Sequence, residues 1–213
     1  MNPTAHRLLV PFALCAGLLM AGSAQAALLA LDNIWPDLQA DSLSLSYDAS
    51  LEQMTVQHTD PNDFYFSLDG LTFDQVTSTN YQLEAQIDNG GNLLSGSLTV
   101  EGIITGLGIN IQTTLLSGTI TGFGYQDSGS IDIFDFRVDG LSGELASYFG
   151  AGLYVLITGY NATNFSGSFA TDFSTNSTVY ANNTAIVPVP AAVWLLGTGL
   201  RGLVAVARRR STC

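Results

Sequence analysis

Lysine is absent from this 213-residue sequence, and Arg137 is the single arginine between residues 27 and 186. All 18 acidic residues lie in the same interval, so 18 negative charges face one positive charge and the net charge there is −17 with histidine neutral. Such a surface repels nucleic acid and anionic lipid headgroups, which excludes both as partners of this part of the chain. We interpret the acidity mainly as a means of keeping a chain rich in glycine, serine and threonine in solution.

Cysteine and histidine are equally scarce. The two cysteines, Cys15 and Cys213, both lie outside residues 27–186, so that interval has no disulfide, thiolate metal site or cysteine nucleophile. Its one histidine, His58, is too little for a histidine-based zinc site and makes a Ser-His-Asp triad improbable, and we interpret it as a loop residue. The sequence therefore predicts no catalytic residues, no cofactor and no enzymatic activity.

The first 26 residues have the pattern of a secretory signal peptide. His6 and Arg7 form a short basic region, residues 8–20 are apolar, and small residues flank a cleavage position at Ala24-Gln25-Ala26. We expect signal peptidase to cut after Ala26, so that residue 27 begins an exported domain.

The C-terminus contains a second apolar segment, the 17 residues 191–207. This length is at the short end of what crosses a hydrocarbon core as a helix. Arg201 lies near its centre, where an arginine costs roughly 2.5–3.5 kcal/mol, so the segment is better suited to temporary anchoring than to a permanent seat in a membrane. Three cytoplasmic arginines would stop translocation: Arg208, Arg209 and Arg210.

A proline motif comes directly before this segment and cannot be helical, because proline lacks a backbone donor and disfavours helix in the preceding residue. The motif residues are Val187, Pro188, Val189, Pro190 and Ala191. With the apolar segment and the terminal arginines, this motif resembles the PEP-CTERM class of bacterial sorting signals, and most closely the VPLPA-CTERM variant. The resemblance implies cleavage near the motif by an exosortase, transient anchoring in the inner membrane, and release to the cell surface or medium of a Gram-negative bacterium that makes exopolysaccharide.

Between the two signals the periodicity is that of β-strands. Residues 81–87 alternate apolar and polar side chains, residues 88–91 have the Asp-Asn-Gly-Gly composition of a hairpin turn, and residues 94–100 return as a second strand. A short helix is predicted only within residues 143–150. Further strands are predicted at residues 43–47, 64–68, 103–111, 115–123, 131–138, 154–158 and 165–173.

These strands predict an all-β exported domain at residues 27–174, built as an antiparallel β-sandwich or open barrel. An N-terminal signal helix and a C-terminal transmembrane helix lie on either side of it. A Ser-Gly-x-apolar pattern at residues 95–98, 117–120, 142–145 and 166–169 suits stacked hairpins, with a β-solenoid as the alternative. Residues 175–186 are rich in asparagine, serine and threonine, and we interpret them as an exposed linker that leads to the sorting signal at residues 187–210.

Two acidic clusters are weak candidates for calcium, the one cofactor kept as an alternative. The first contains Asp60 and Asp63, and the second contains Asp132 and Asp135. Neither has EF-hand spacing, and calcium needs six to eight oxygen ligands that sequence alone does not place.

The sequence therefore predicts an exported cell-surface or extracellular-matrix protein with a structural or interaction role. Its predicted partners are signal peptidase, exosortase and extracellular polysaccharide. Two alternatives remain open, a secreted glycan-active hydrolase using paired carboxylates and a calcium-dependent carbohydrate-binding module.

Overall fold

In the computed structural model, the described residues form eleven strands and one short α-helix. The structure describes residues 28–29, 35–58, 63–127, 131–160, 164–174 and 179–185. The predicted signal peptide and the sorting signal lie outside these residues. The strands are β1 (Asp37–Asp48), β2 (Gln53–His58), β3 (Phe64–Ser67), β4 (Asp74–Gln75), β5 (Thr77–Ile87), β6 (Leu93–Ile104), β7 (Ile109–Asp127), β8 (Ile131–Ser142), β9 (Gly152–Tyr160), β10 (Phe173–Ser174) and β11 (Val179–Ala185), and the helix is α1 (Ala146–Phe149).

All of the strands belong to one antiparallel sheet that curls into a half-barrel. From β5 to β9, each strand pairs with the next one along the chain, to which a short connection joins it. Strand β11 pairs with both β9 and β1. The predicted all-β antiparallel class is confirmed. A β-solenoid is excluded for the described strands, because its neighbouring strands would run parallel whereas every pairing here is antiparallel.

The core fills the concave side of the sheet. Alternate residues of each strand point inward, as Tyr81, Leu83, Ala85 and Ile87 do in β5, and they are at most 1% exposed. The predicted hairpin is confirmed: Asp88 accepts hydrogen bonds from the backbone N–H groups of Gly90 and Asn92 and thereby fixes the β5–β6 turn. The interior is therefore a packed apolar core.

The two open ends of the curled sheet differ, and we name them for what they contain. The turn end holds the β1–β2, β5–β6 and β7–β8 turns. The exit end holds α1, the loop between β3 and β4, and Ala185, the last residue of β11. The last described strand therefore ends at the exit end of the sheet, and five residues separate it from residue 191.

Residues 165–173 were predicted as a strand, and the structure corrects this. Only Phe173–Ser174 is a strand, and the preceding residues form a loop in which Gly167 adopts a positive φ of 76°. The alternation has a different cause: Phe165, Phe169 and Phe173 all point into the core, where their rings contact one another at centroid distances of 4.7–5.5 Å. An apolar residue at every fourth position is compatible with a loop that is pinned by its aromatic side chains.

The predicted strand at residues 103–111 is also wrong. A 3₁₀ turn at Thr105–Leu107 ends β6, and Gly108 with φ 77° begins the return as β7. Glycine reaches this left-handed conformation without a steric cost, which is why the chain reverses here. The predicted short helix is confirmed as α1.

Part of the segment interpreted as a linker lies in the sheet. Val179–Ala185 pairs with β9 on one edge and with β1 on the other, so its backbone groups are used in two ladders. Composition did not reveal this strand because asparagine is depleted in strands and the segment has no alternation of apolar and polar residues, whereas the free edges of β1 and β9 can pair with any extended backbone. The four copies of the Ser-Gly pattern do not share a structural role, because two lie in neighbouring strands and two lie in turns or loops.

Candidate functional site

Four aspartates were singled out as weak calcium candidates, and the structure does not bring them together. Asp60 lies outside the described residues. Asp132 and Asp135 both belong to β8, but they point to opposite faces of the sheet because their positions differ by three, an odd number. Within the described part of the chain, no group of three or more histidine, cysteine, aspartate or glutamate side chains is arranged to hold a metal ion.

Asp63 lies beside an aspartate that the sequence did not single out. Its Oδ2 accepts a hydrogen bond of 2.8 Å from Ser42 Oγ, and its backbone carbonyl accepts one of 2.9 Å from the Asp41 N–H. Burial, together with the charge of Asp63, raises the pKa of Asp41. The pair arises because β1 and β3 are neighbours in the sheet, a pairing that residue spacing does not reveal.

Asp135 is buried on the outer face of the sheet. Its Oδ2 accepts hydrogen bonds from the Leu29 N–H at 2.7 Å and from the Tyr154 hydroxyl at 3.1 Å, and the residue is fully buried. Burial raises the pKa of this carboxyl, and the two hydrogen bonds act in the opposite direction. Leu29 therefore covers this part of the outer face, and Asp135 attaches the segment of Leu29 to the sheet.

Asp132 points inward at the turn end, where it lies opposite Asp127 across the β7–β8 ladder. The residue is 6% exposed. Burial first, and the charge of Asp127 second, raise its pKa to about 6. A carboxyl whose pKa is raised to about 6 beside a second carboxyl has the properties of a general acid, so this pair is the best match to the hydrolase alternative.

His58 and Arg137 have structural contacts. His58 is the last residue of β2, which corrects its interpretation as a loop residue; its Nδ1 lies 2.9 Å from Thr79 Oγ1. Arg137 is largely exposed and binds Asp139 through Nε at 3.0 Å. This ion pair lies at the surface and holds the pKa of Asp139 below its usual value.

A polar cleft of about 370 Å³ lies on the outer face at the turn end. Its floor is the β1–β2 pair and its wall is the end of the loop before β10. Backbone N–H groups hold two of the side chains that line the cleft. Asp172 Oδ1 accepts a hydrogen bond from the Ala49 N–H, and Asn164 Oδ1 accepts one from the Ser174 N–H, both at 2.8 Å. The cleft is lined by Ser46, Tyr47, Asp48, Gln53, Thr55, Asn164, Asp172, Phe173 and Ser174.

A second depression of about 300 Å³ continues the cleft across β2, β5 and β6. Gln53 lines both depressions, and we call the two together the polar furrow. Its hydroxyl, amide and carboxylate groups are donors and acceptors of the kind that bind sugar hydroxyls. Sequence reasoning missed the furrow because it did not predict β2 and assigned residues 165–173 to a strand.

Comparison with protein-family models, with curated proteins and with solved structures found no match. Among the described residues, none of the helices has the length and apolar character that crossing a bilayer requires. The predicted transmembrane segment and all residues of the sorting motif lie outside the described residues, as do Ala24 and Ala26.

Proposed function

We propose that this chain is an exported, exosortase-processed protein of the cell surface or extracellular matrix, with a structural or interaction role rather than a catalytic one. The observation that supports this best is the filled interior of the curled sheet, whose inward side chains are apolar and almost fully buried. Apart from the inward-pointing Asp132, polar chemistry is thereby left to the convex, strongly acidic outer surface. In this proposal the described domain is an open barrel, with a cleavable signal helix before it and a transient transmembrane helix after it.

The sorting part of the proposal is tested by fractionation and terminal mass analysis of the protein in its native host. The expected product begins at Ala27, ends near Pro190 and is found at the cell surface or in the medium. A variant with Pro188→Ala and Pro190→Ala is expected to keep its C-terminus and remain in the inner membrane. Intact Arg210 on the wild-type protein in the inner membrane would contradict the proposal.

The polar furrow supports a second candidate function, binding of extracellular polysaccharide. Asn164 and Gln53 line it with amide groups, and Asp172 adds a carboxylate. Binding of the protein to a panel of polysaccharides is expected to weaken at least tenfold with Gln53→Ala, whereas Asn110→Ala, an exposed amide that bonds the Gly108 carbonyl, is the matched control. Equal binding by both variants would remove the furrow as the site.

The hydrolase and calcium alternatives have separate tests. The Asp127–Asp132 pair supports hydrolysis, so activity on the same panel that disappears with Asp132→Asn would favour an enzyme. Calcium binding predicts that a chelator lowers the unfolding midpoint, and an unchanged midpoint would remove it.

A further inference from the structure

The exit end carries an exposed apolar patch that the furrow and the acidic pairs do not explain. We call it the exit patch and define it by five residues, each between 43% and 86% exposed: Trp35, Leu68, Leu71, Phe73 and Tyr148. Most other large apolar side chains in the described residues are buried, so this grouping at one end is unusual for a chain that is otherwise acidic on its surface.

The exit patch is held in a defined shape. The Trp35 ring meets Phe73 edge-on, with centroids 6.2 Å apart. Gly70 leaves room for the indole, because a Cβ at this position would overlap the Trp35 ring. Asp69 accepts hydrogen bonds from the N–H groups of Leu71 and Thr72 and so fixes the loop that projects Leu71 outward.

The path of the chain brings this patch close to the predicted membrane segment. β11 ends at Ala185, which pairs with Leu153, and Thr184 pairs with Asp37, two residues after Trp35. Only residues 186–190 separate Ala185 from the apolar segment 191–207. An extended chain covers at most about 3.6 Å per residue, so this connector spans roughly 20 Å.

We infer that the exit patch rests in the interfacial layer of the lipid bilayer while residues 191–207 anchor the chain. This inference rests on the proposed sorting function, because it requires the tail to enter the membrane. Tryptophan and tyrosine suit this layer, since an apolar ring and a polar tip are accommodated together at the headgroup level. The contact is made by apolar insertion and not by charge, because the domain has no cationic side chain at this end among the described residues.

The opposite end is too distant to touch the same membrane. β1 has 12 residues, and at about 3.3 Å per residue it is roughly 40 Å long. Leu51, in the β1–β2 turn, is 61% exposed at the turn end and has nothing in common with the exit patch except its apolar surface. It therefore provides a matched control.

The test uses the full chain reconstituted in phosphatidylcholine vesicles whose acyl chains carry bromine close to the headgroups. The chain has two tryptophans, so Trp194→Phe leaves Trp35 as the single tryptophan, which is excited selectively at the red edge of the absorption band. We expect the vesicle bromines to reduce Trp35 fluorescence at least twofold. In a chain with Trp35→Phe, Trp194→Phe and Leu51→Trp, the new indole is expected to stay unquenched.

A third chain, with Trp35→Phe alone, reports on the tail through Trp194. If Trp194 is quenched and Trp35 is not, the tail is anchored but the inference on the exit patch is overturned. If neither is quenched, the anchoring proposal fails and the inference fails with it. Trp35 that is already shielded from acrylamide without vesicles would also overturn the inference, because the tail or a second copy of the chain then covers the patch.

A substitution at the patch completes the test. Leu71→Asp places a charge on the most exposed residue of the patch and is expected to reduce the quenching of Trp35 at least twofold. Leu51→Asp is the matched control and is expected to leave it unchanged. Equal quenching in the two variants would contradict a role for the patch.

Discussion

The two ends of the curled sheet use aromatic side chains in opposite ways. At the turn end Phe165, Phe169 and Phe173 turn inward and close the core, and Phe169 is 1% exposed. At the exit end Trp35 and Phe73 pack on each other but leave nearly half of their surface in solvent. The difference indicates that the first cluster serves stability and that the second is available for contact with something outside the domain.

Removing a ring from each end tests this division most strongly. Phe169→Ala is expected to lower the free energy of unfolding by about 3–5 kcal/mol, because Phe169 contacts Tyr47, Phe123 and Tyr125 and its loss leaves a cavity. Phe73→Ala, at the exit end, is expected to cost about 1 kcal/mol or less, since its ring is largely exposed already. Urea unfolding measures both, and equal losses would mean that the two clusters do not differ.

A titrating carboxyl gives the turn end a pH dependence of its own. The pKa of Asp132 is raised from 3.8 to about 6, so the folded state holds this proton more tightly than the unfolded state. The contribution of Asp132 therefore favours folding at low pH and is lost as pH rises from about 4 to about 6. Asp132→Asn is expected to raise the free energy of unfolding at pH 7 by about 1–3 kcal/mol relative to wild type and to leave it nearly unchanged at pH 4.

Asp127→Asn is the control for that effect. It removes the second cause of the shift and keeps the burial of Asp132, so it is expected to lower the pKa of Asp132 only in part. Unfolding curves of wild type and of the two variants at pH 4 and pH 7 measure these differences in the free energy of unfolding. A difference between Asp132→Asn and wild type that is the same at both pH values would contradict the assignment.

Two glycines at the exit end separate backbone strain from the support of the patch. Gly70 and Gly108 have almost the same φ, 76° and 77°, but a Cβ at Gly70 meets the Trp35 ring whereas a Cβ at Gly108 meets nothing within 4 Å. Both substitutions to alanine are expected to cost about 1–2 kcal/mol from the left-handed backbone. Only Gly70→Ala should also shift the Trp35 emission spectrum, and identical spectra for the two variants would show that Gly70 does not position the indole.

The smallest effect is expected between the two ends, at the Arg137–Asp139 pair in β8. The atoms are 3.0 Å apart, but the side chains are 45% and 31% exposed. Arg137→Gln is therefore expected to change the free energy of unfolding by about 0.5 kcal/mol or less. A loss comparable to that of Phe169→Ala would show that this pair on the outer surface contributes as much to stability as a ring of the packed turn end.

Much of the sheet follows from residue order, and the exceptions have physical causes. The β5–β6 hairpin was predictable because strict alternation and an Asp-Asn-Gly-Gly turn act locally and agree with each other. The loop of Phe165 and Phe169 was mistaken for a strand because buried anchors at even spacing produce the same pattern without a ladder. Strand β11 was missed because its pairing depends on two partners, β1 and β9, that are distant in sequence.

The candidate sites were likewise predictable from the sequence only in part. Asp132 and Asp135 were named from the sequence, but strand alternation places one in the interior and the other under Leu29. The polar furrow could not be found in this way, since its residues come from β1, β2 and the loop before β10 and meet only after the sheet has curled.

The sequence by itself determined the all-β character, the acidity and the scarcity of cysteine and histidine, because composition and local periodicity are properties of neighbouring residues. It also carries the predictions of a signal peptide and a sorting signal, which are read from short contiguous motifs. Only the tertiary structure decided which aromatic residues close the core and which remain exposed, and that β11 leaves the sheet beside the exit patch. Those outcomes depend on contacts between residues far apart in the chain, which the curled sheet creates and no single segment contains.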